Sequence, residues 1–365
     1  MMNKGKSGNY SNLKHFQQDD EGNILQCPQC KSTHLIKQGN DGRPYSPQRY
    51  KCKDCGRKSC NPIVSTEYEI DQQLISSERS VEELIAHREA EFERMERSEQ
   101  SKDFINIKIR DKKPIGLYVM GDPHIDNPGT DITQMMEHIK IVNETEGLYA
   151  CNVGDMHDNW ARRTKLEGLY AKGTVTSDEA WKLVEWLCKS LNWVFIVGGN
   201  HDVWSGDGRR DPLQWMTKPL KVIYQPYSIR ICLNLPKHKI RVHCAHSFKG
   251  ASIYNSAHAL VREAIWGFKD HLLLAGHRHI SGYMPLVDPN SRVVQHCVQV
   301  GSYKKYDDYA KENMFHNKMK SPCAVAVFNT KLDETHPDFI KIFWQVKEGA
   351  DYLKYLRAEH NGKKK

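Results

Sequence analysis

Five apolar runs in this chain each end abruptly in a cluster of Asp, His or Asn, and that recurrence limits the fold more than any other feature. Ile115–Met120 leads into Gly121-Asp122-Pro123-His124, and Tyr149–Val153 into Gly154-Asp155-Met156-His157-Asp158. Trp193–Val197 leads into Gly198-Gly199-Asn200-His201-Asp202, His246 follows Ile240–Cys244, and His271–Ala275 ends in Gly276-His277-Arg278-His279. Short apolar runs bounded by Gly and polar residues read as strands. In α/β sheets the carboxyl ends of strands converge on one crevice, so groups distant in sequence can meet there.

Further strands are expected at Val222–Tyr224, Ser228–Leu233, Val293–Val300, Cys323–Phe328 and Ile340–Val346, with helices at Asp131–Thr145, Ser177–Leu191 and Asn255–Phe268. Early strands alternate with helices and later ones follow one another directly, which fits a pair of mixed sheets with helices outside. Thr176 with Glu179, and Ser80 with Glu83, carry the capping-box signature of a helix start. The second of these opens an acid-rich stretch to about Gln100. There Val81, Leu84, Ile85, Phe92 and Met95 recur at helical spacing, the pattern of a helix joining two units. The expected organisation is a disordered arm over 1–22, a cysteine module over 23–62, a helical linker over 63–112, an α/β domain over 113–350 and a polar tail over 351–365.

The 365 residues suffice for two or three domains, and no run approaches the ~18 apolar residues a membrane span requires. The first residues lack an apolar export segment, so the expected compartment is the cytoplasm, including that of a bacterium or a phage-infected host. In such a reducing setting, 11 Cys and 18 His point to metal chemistry rather than disulfides. The net charge of +8 is localised, because residues 1–62 hold eleven Lys and Arg against five Asp and Glu.

Cys27-Pro28-Gln29-Cys30 and Cys52-Lys53-Asp54-Cys55 place two thiol pairs on tight turns, a spacing that selects one structural zinc. Cys60, Cys151, Cys188, Cys232, Cys244, Cys297 and Cys323 are scattered and read as small buried residues. The stretch between the pairs resembles the N-terminal zinc ribbon of insertion-sequence transposases and related phage proteins. That resemblance implies nucleic-acid binding and hints at a mobile-element setting. Lys31, Lys37, Arg49, Lys51, Lys53, Arg57 and Lys58 are the candidate phosphate contacts, with Arg43, Tyr45 and Tyr50 among them. A ribbon that only docks a domain or a protein partner is the alternative.

Asp, His and Asn together suit two divalent ions rather than a thiolate site. The ordered set of clusters resembles the calcineurin-like metallophosphoesterase superfamily over about residues 113–346, including its DNA-repair exonuclease branch. The resemblance implies a four-layer α/β/β/α sandwich with a dinuclear centre, manganese favoured and iron, zinc or magnesium admissible. It implies that Asp122, His124 and His279 hold one ion, that Asn200, His246 and His277 hold the other, and that Asp155 bridges them. His201 would then be the general acid or contact the scissile phosphate, and Asp158 would orient it.

Two departures stand out: Asn159 replaces the Arg of the protein phosphatases, and Ser247 follows His246 where Gly is usual. Trp204, Arg209 and Arg210 suit stacking and phosphate pairing with a nucleotide or single strand, and Arg162 and Arg163 are further candidates. Tyr303, Lys304 and Lys305 are candidates for the rim of the site. A metal-dependent phosphodiesterase acting on nucleic acid, with DNA favoured, is the leading expectation. A phosphatase or phosphodiesterase for a small nucleotide or phosphoprotein is the alternative, and a catalytically dead assembly protein conflicts with the filled ligand positions.

Overall fold

The computed structural model describes residues 17–40, 46–59, 61–64, 79–102, 104–158, 173–203, 212–306 and 321–362. The chain divides into two compact units, 1–90 and 91–365.

The first unit contains β1 (Leu25–Gln26), β2 (Leu35–Lys37), β3 (Tyr50–Cys52), β4 (Lys58–Ser59) and β5 (Ile63–Val64). Strands β2, β3 and β4 form an antiparallel sheet, and β1 pairs antiparallel with β5. The cysteine module therefore extends past residue 62. It also starts earlier than expected: residues 17–22, assigned to the disordered arm, fold into a turn in which Asp19 accepts from the backbone of Glu21 and Asn23. Among the described residues its buried cluster is Leu25, Cys27, Leu35, Tyr50 and Cys52. A core this small normally needs a metal or cross-link to hold it.

Helix α1 (Val81–Lys102) starts at the expected capping box, with Ser80 N donating to Glu83 Oε2 at 2.8 Å and Glu83 N to Ser80 Oγ at 3.1 Å. The side chains of Val81, Leu84, Ile85, Phe92 and Met95 are exposed.

After α1 comes β6 (Ile105–Lys108), which pairs parallel with a later strand, so the expected linker ends several residues before 112. Then follow β7 (Ile115–Met120), α2 (Ile132–Asn143), β8 (Leu148–Asn152), α3 (Ser177–Ser190), β9 (Trp193–Gly198) and the short α4 (Asn200–Val203) and α5 (Pro212–Thr217). After them come β10 (Ile223–Pro226), β11 (Ser228–Asn234), β12 (Lys239–Ala245), α6 (His258–Trp266), β13 (Leu272–Ala275), β14 (Gly282–Val287) and β15 (Val294–Gln299). The chain continues through β16 (Cys323–Phe328) and β17 (Ile340–Phe343) to α7 (Val346–Gly362).

One sheet has the order β10-β9-β8-β7-β16-β17, parallel from β10 to β7, and the other has the order β14-β15-β13-β12-β11-β6. Side-chain alternation explains how they stack. In β7, Ile115, Leu117 and Val119 join Val153, Phe195, Ile231, Val242 and Leu274 in a core between the sheets. Tyr118 and Met120 point the other way, onto Met135 and Ile139 of α2, Val184 and Leu187 of α3, and Leu353 and Leu356 of α7. Helix α6 covers the outer face of the second sheet through Leu260 and Ala264. The result is the expected four-layer α/β/β/α sandwich.

Helix α7 replaces most of the expected polar tail. Leu353, Leu356 and Arg357 are buried, and Arg357 Nη1 donates to Asp111 Oδ2 and to the carbonyl of Pro114, both at 2.8 Å. The stretch looks polar because only one helix face meets the sheet, a 3.6-residue pattern diluted by charged residues.

Candidate active site

Five strand ends deliver the clusters. Asp122 and His124 follow β7, Asp155 and Asp158 follow β8, Asn200 and His201 open α4 after β9, His246 follows β12, and His277 and His279 follow β13. The backbone there is contorted: His124, Asp155, His277 and His279 have φ of 41°, 49°, 68° and 49°. Residues other than Gly seldom occupy the left-handed region, Asp and His more readily than most, and four such residues gather at these strand ends. Gly199 and Gly276 allow close approach, since a Cβ on either would lie 2.1 Å from Asp155 Oδ1 or 2.3 Å from Asp122 Oδ1.

Two groups of lone pairs converge. In the first, His124 Nε2 faces His279 Nε2 at 3.1 Å, with Asp122 Oδ2 3.4 Å from His279 Nε2. In the second, His246 Nε2 lies 2.9 Å from Asn200 Oδ1, 3.1 Å from His277 Nδ1 and 3.2 Å from Asp155 Oδ2. Since His246 Nδ1 donates to the carbonyl of Val153 at 3.0 Å, Nε2 is its remaining ring nitrogen. Asp155 Oδ2 also lies 3.9 Å from His124 Nε2, so this carboxylate touches both groups.

Asp122 and Asp155 are buried, and Asp122 Oδ1 has no hydrogen-bond partner among the described residues. Burial, with Asp155 nearby, pushes the Asp122 carboxyl well up. Burial would raise Asp155 too, but His246 and His201 outweigh it and hold that carboxyl well below its usual range. Burial disfavours a charged His246, yet Asp155 and Asp122 raise it to about 10. His124 is brought down to about 4 by burial and by Lys304. Acceptors crowded this closely around an orphaned carboxylate oxygen form a natural place for cations.

Asp158 contacts both His201 and His124. His201 Nδ1 donates to the main-chain carbonyl of Asp158 at 2.5 Å, while the Asp158 carboxylate lies 2.9 Å from His124 Nδ1 and 3.2 Å from Lys304 Nζ. Asp158 thus meets His201 through its backbone. Its carboxylate lies against His124 and Lys304, with the His201 ring within 4.8 Å.

Tyr303 and Lys304 are buried rather than on a rim, with Tyr303 Oη held by Tyr118 and His138. Lys305 is half exposed and paired with Asp131. His157, in the second cluster, stacks on Trp181 at 4.3 Å between ring centroids. Sequence reasoning gave no role to Asp202, whose carboxylate accepts from Gly199 N at 2.8 Å and His157 N at 3.1 Å. Burial and Asp155 push it up to about 8. Its place beside Asn200 and His201 was the available signal. The expected contacts Trp204, Arg209, Arg210, Arg162 and Arg163 lie outside the described residues.

In the other unit, the sulfurs of Cys27, Cys30, Cys52 and Cys55 lie within 4.8 Å of one another, with Cys27–Cys55 at 3.6 Å and Cys30–Cys52 at 3.5 Å. A disulfide would need about 2.0 Å. Tetrahedral zinc with ~2.3 Å bonds spaces its sulfurs about 3.8 Å apart, close to what is seen. Backbone donors led by Cys30 N–H draw the Cys27 thiol down to about 7. The Ser32 N–H pulls Cys30 down, but Cys55, burial and Cys52 outweigh it and push that thiol up to about 12. Four sulfurs this close cannot all ionise without a cation. Lys31, Lys37, Arg49, Lys53, Arg57 and Lys58 are exposed and Lys51 half-buried, while Arg43, Tyr45 and Cys60 lie outside the described residues.

No protein-family model and no curated protein sequence matches the chain. Among solved structures it is similar to Vacuolar Protein Sorting 29 from Cryptosporidium parvum, at 11% identity over 63% of this chain and 96% of that one, with a TM-score of 0.34. It is similar to a 5'-nucleotidase from Candida albicans, at 11% identity over 71% of this chain and 59% of that one, with a TM-score of 0.32. It is also similar to the Pseudomonas putida nuclease MPE, at 13% identity over 62% of this chain and 87% of that one, with a TM-score of 0.29.

Proposed function

We propose that the second unit is a metal-dependent phosphoesterase that hydrolyses phosphodiester bonds in nucleic acid, and that the cysteine unit is a zinc ribbon that binds the same polymer. One observation carries the reading: two groups of acceptors converge side by side and share Asp155, whose Oδ2 lies 3.9 Å from His124 Nε2 and 3.2 Å from His246 Nε2. Asp122, His124 and His279 would hold one divalent ion, and Asn200, His246 and His277 the other, with Asp155 between them. The oxygen and imidazole donors fit manganese, iron, zinc or magnesium. When bound, such a pair supplies a nucleophile at neutral pH and Lewis-acid stabilisation of phosphoryl oxygens.

The chain's own groups do the rest. With Nδ1 committed to the Asp158 carbonyl, His201 exchanges its proton at Nε2 and is the general acid for the leaving alkoxide. His246 is fixed through Nδ1 by Val153 O, so its Nε2 is aimed at the second group. The exposed ribbon cations Lys31, Lys37, Arg49, Lys53, Arg57 and Lys58 supply phosphate contacts to the polymer.

The test is a substrate panel with each divalent metal in turn. The expected result is cleavage of DNA or RNA together with bis-p-nitrophenyl phosphate. Hydrolysis of the small diester with DNA and RNA left intact would instead assign a small nucleotide or phosphoprotein substrate. His201→Ala should collapse turnover while metal content holds at about two ions per chain besides the ribbon zinc. Loss of those ions with it would overturn the role given to His201.

A further inference from the structure

Lys304 is a lysine whose side chain is 2% exposed, a rare burial for an ammonium group. Its Nζ lies 3.2 Å from Asp158 Oδ1, the same oxygen that stands 2.9 Å from His124 Nδ1. The other carboxylate oxygen accepts from Asn127 Nδ2 at 2.5 Å, and Asp158 N donates to Asp126 Oδ1 at 2.7 Å. Asp158 is therefore gripped on every side.

The segment that carries Lys304 is strapped along the loop after β7. Ser302 Oγ donates to Asp122 O at 2.7 Å, Tyr303 N to the same oxygen at 3.2 Å, and Asp131 N to Tyr303 O at 2.9 Å. Thr130 pairs with Lys304 in an antiparallel bridge, and Thr130 Oγ1 donates to His124 O at 2.7 Å. The strap thus reaches both Asp122 and His124, yet no bond of it goes to Asn200, His246 or His277 among the described residues.

His124 Nδ1 has no hydrogen-bond partner among the described residues, so the Asp158 carboxylate 2.9 Å away acts on it by charge, favouring a proton on Nδ1 and leaving the lone pair on Nε2. His124, Asp158 and His201 also lie close enough together to form a donor group by themselves, so an unrestrained Asp158 would compete as a ligand. A cation on Oδ1 prevents that. It keeps the carboxylate behind His124.

We infer that Lys304 is a positioning residue for the ion held by Asp122, His124 and His279, clamping Asp158 against His124 Nδ1 so that Nε2 is presented to that ion. The inference rests on the metal-centre reading above and deepens it. Its consequence is asymmetric. Loss of Lys304 weakens one position and spares the one at Asn200, His246 and His277.

The experiment compares the full-length wild type, Lys304→Met and the neutral pair Lys304→Met/Asp158→Asn, each stripped and titrated with Mn²⁺. Calorimetry and elemental analysis give stoichiometry, electron paramagnetic resonance separates coupled from isolated Mn²⁺, and melting of the metal-free protein reports folding. The wild type is expected to take up two ions as a coupled pair. Lys304→Met is expected to keep one, with the isolated signal and the second ion bound at least tenfold more weakly, about the loss typical of outer partners of metal ligands. Because a lone buried carboxylate can unfold the single variant, the neutral pair is the control: its melting temperature should recover while the second ion stays weak. Recovery of affinity together with melting temperature would reduce Lys304 and Asp158 to a structural ion pair and overturn the inference. So would unchanged binding in Lys304→Met. A wild type that takes up no Mn²⁺ would overturn the metal-centre reading itself.

Discussion

Gly199→Ala is the sharpest probe of the candidate site, because it adds one carbon and nothing else. The new Cβ would stand 2.1 Å from Asp155 Oδ1, 2.5 Å from Asp155 N and 2.7 Å from Asp155 Cγ, whereas ordinary contact begins at 3.4 Å. Something must therefore move by about 1.3 Å, and backbone is among the atoms in the way. Asp155 Oδ1 also accepts from His201 N at 3.0 Å, so displacing the carboxylate disturbs the proposed general acid as well. Overpacking of this kind costs about 1–3 kcal/mol of stability, and a misplacement of about 1 Å in a catalytic constellation costs on the order of 100-fold in rate. We expect kcat/KM for bis-p-nitrophenyl phosphate with Mn²⁺ to fall at least about 100-fold, while the metal-free protein still melts cooperatively. The assay pairs turnover with metal content and thermal melting. A variant within threefold of wild type that retains both ions would show that Asp155 does not lie between the two positions.

Three further outcomes are expected. Burial lowers His296 to about 4, below its ordinary 6.5, so the unfolded state binds the extra proton; stability is full above pH 6.5, falls as pH drops toward 4, and loses about 3 kcal/mol there. Denaturant melts across that window should show the slope flatten in His296→Gln, and an unchanged slope would refute the assignment. Leu353→Ala, in the helix that replaces the expected tail, should cost about 2–5 kcal/mol by urea unfolding, and a loss under half a kcal/mol would mean α7 is not docked. Cys52→Ser should release the ribbon's zinc and weaken DNA binding and its salt dependence while leaving turnover of the small diester intact; loss of that turnover would make the ribbon part of the catalytic machinery.

Much of the site was legible in the sequence because its signals are local. Each candidate cluster of Asp, His or Asn sits within a few residues of an apolar run, and a strand end fixes where such residues emerge. The two Cys-x-x-Cys pairs are equally self-contained, since a tight turn brings each pair together without help from the rest of the fold. What misled was equally physical. Residues 351–362 are too rich in charge for composition to reveal a docked helix, whose burial falls on one face through Leu353 and Leu356. Ile105–Lys108 is four residues long and gains its strand character from pairing with β11, far away in sequence.

The sequence by itself determined which atoms are available: hard and borderline donors at five strand ends in one unit, four thiols in the other. Tertiary structure decided what those atoms face. Nothing near Asp158 in sequence says that its carboxylate lies by His124 while its carbonyl takes His201, or that Lys304, 146 residues further along, meets the same carboxylate. Ligand identity is a property of residue type, but the direction of a lone pair is set by the packing of neighbours that only the folded chain assembles.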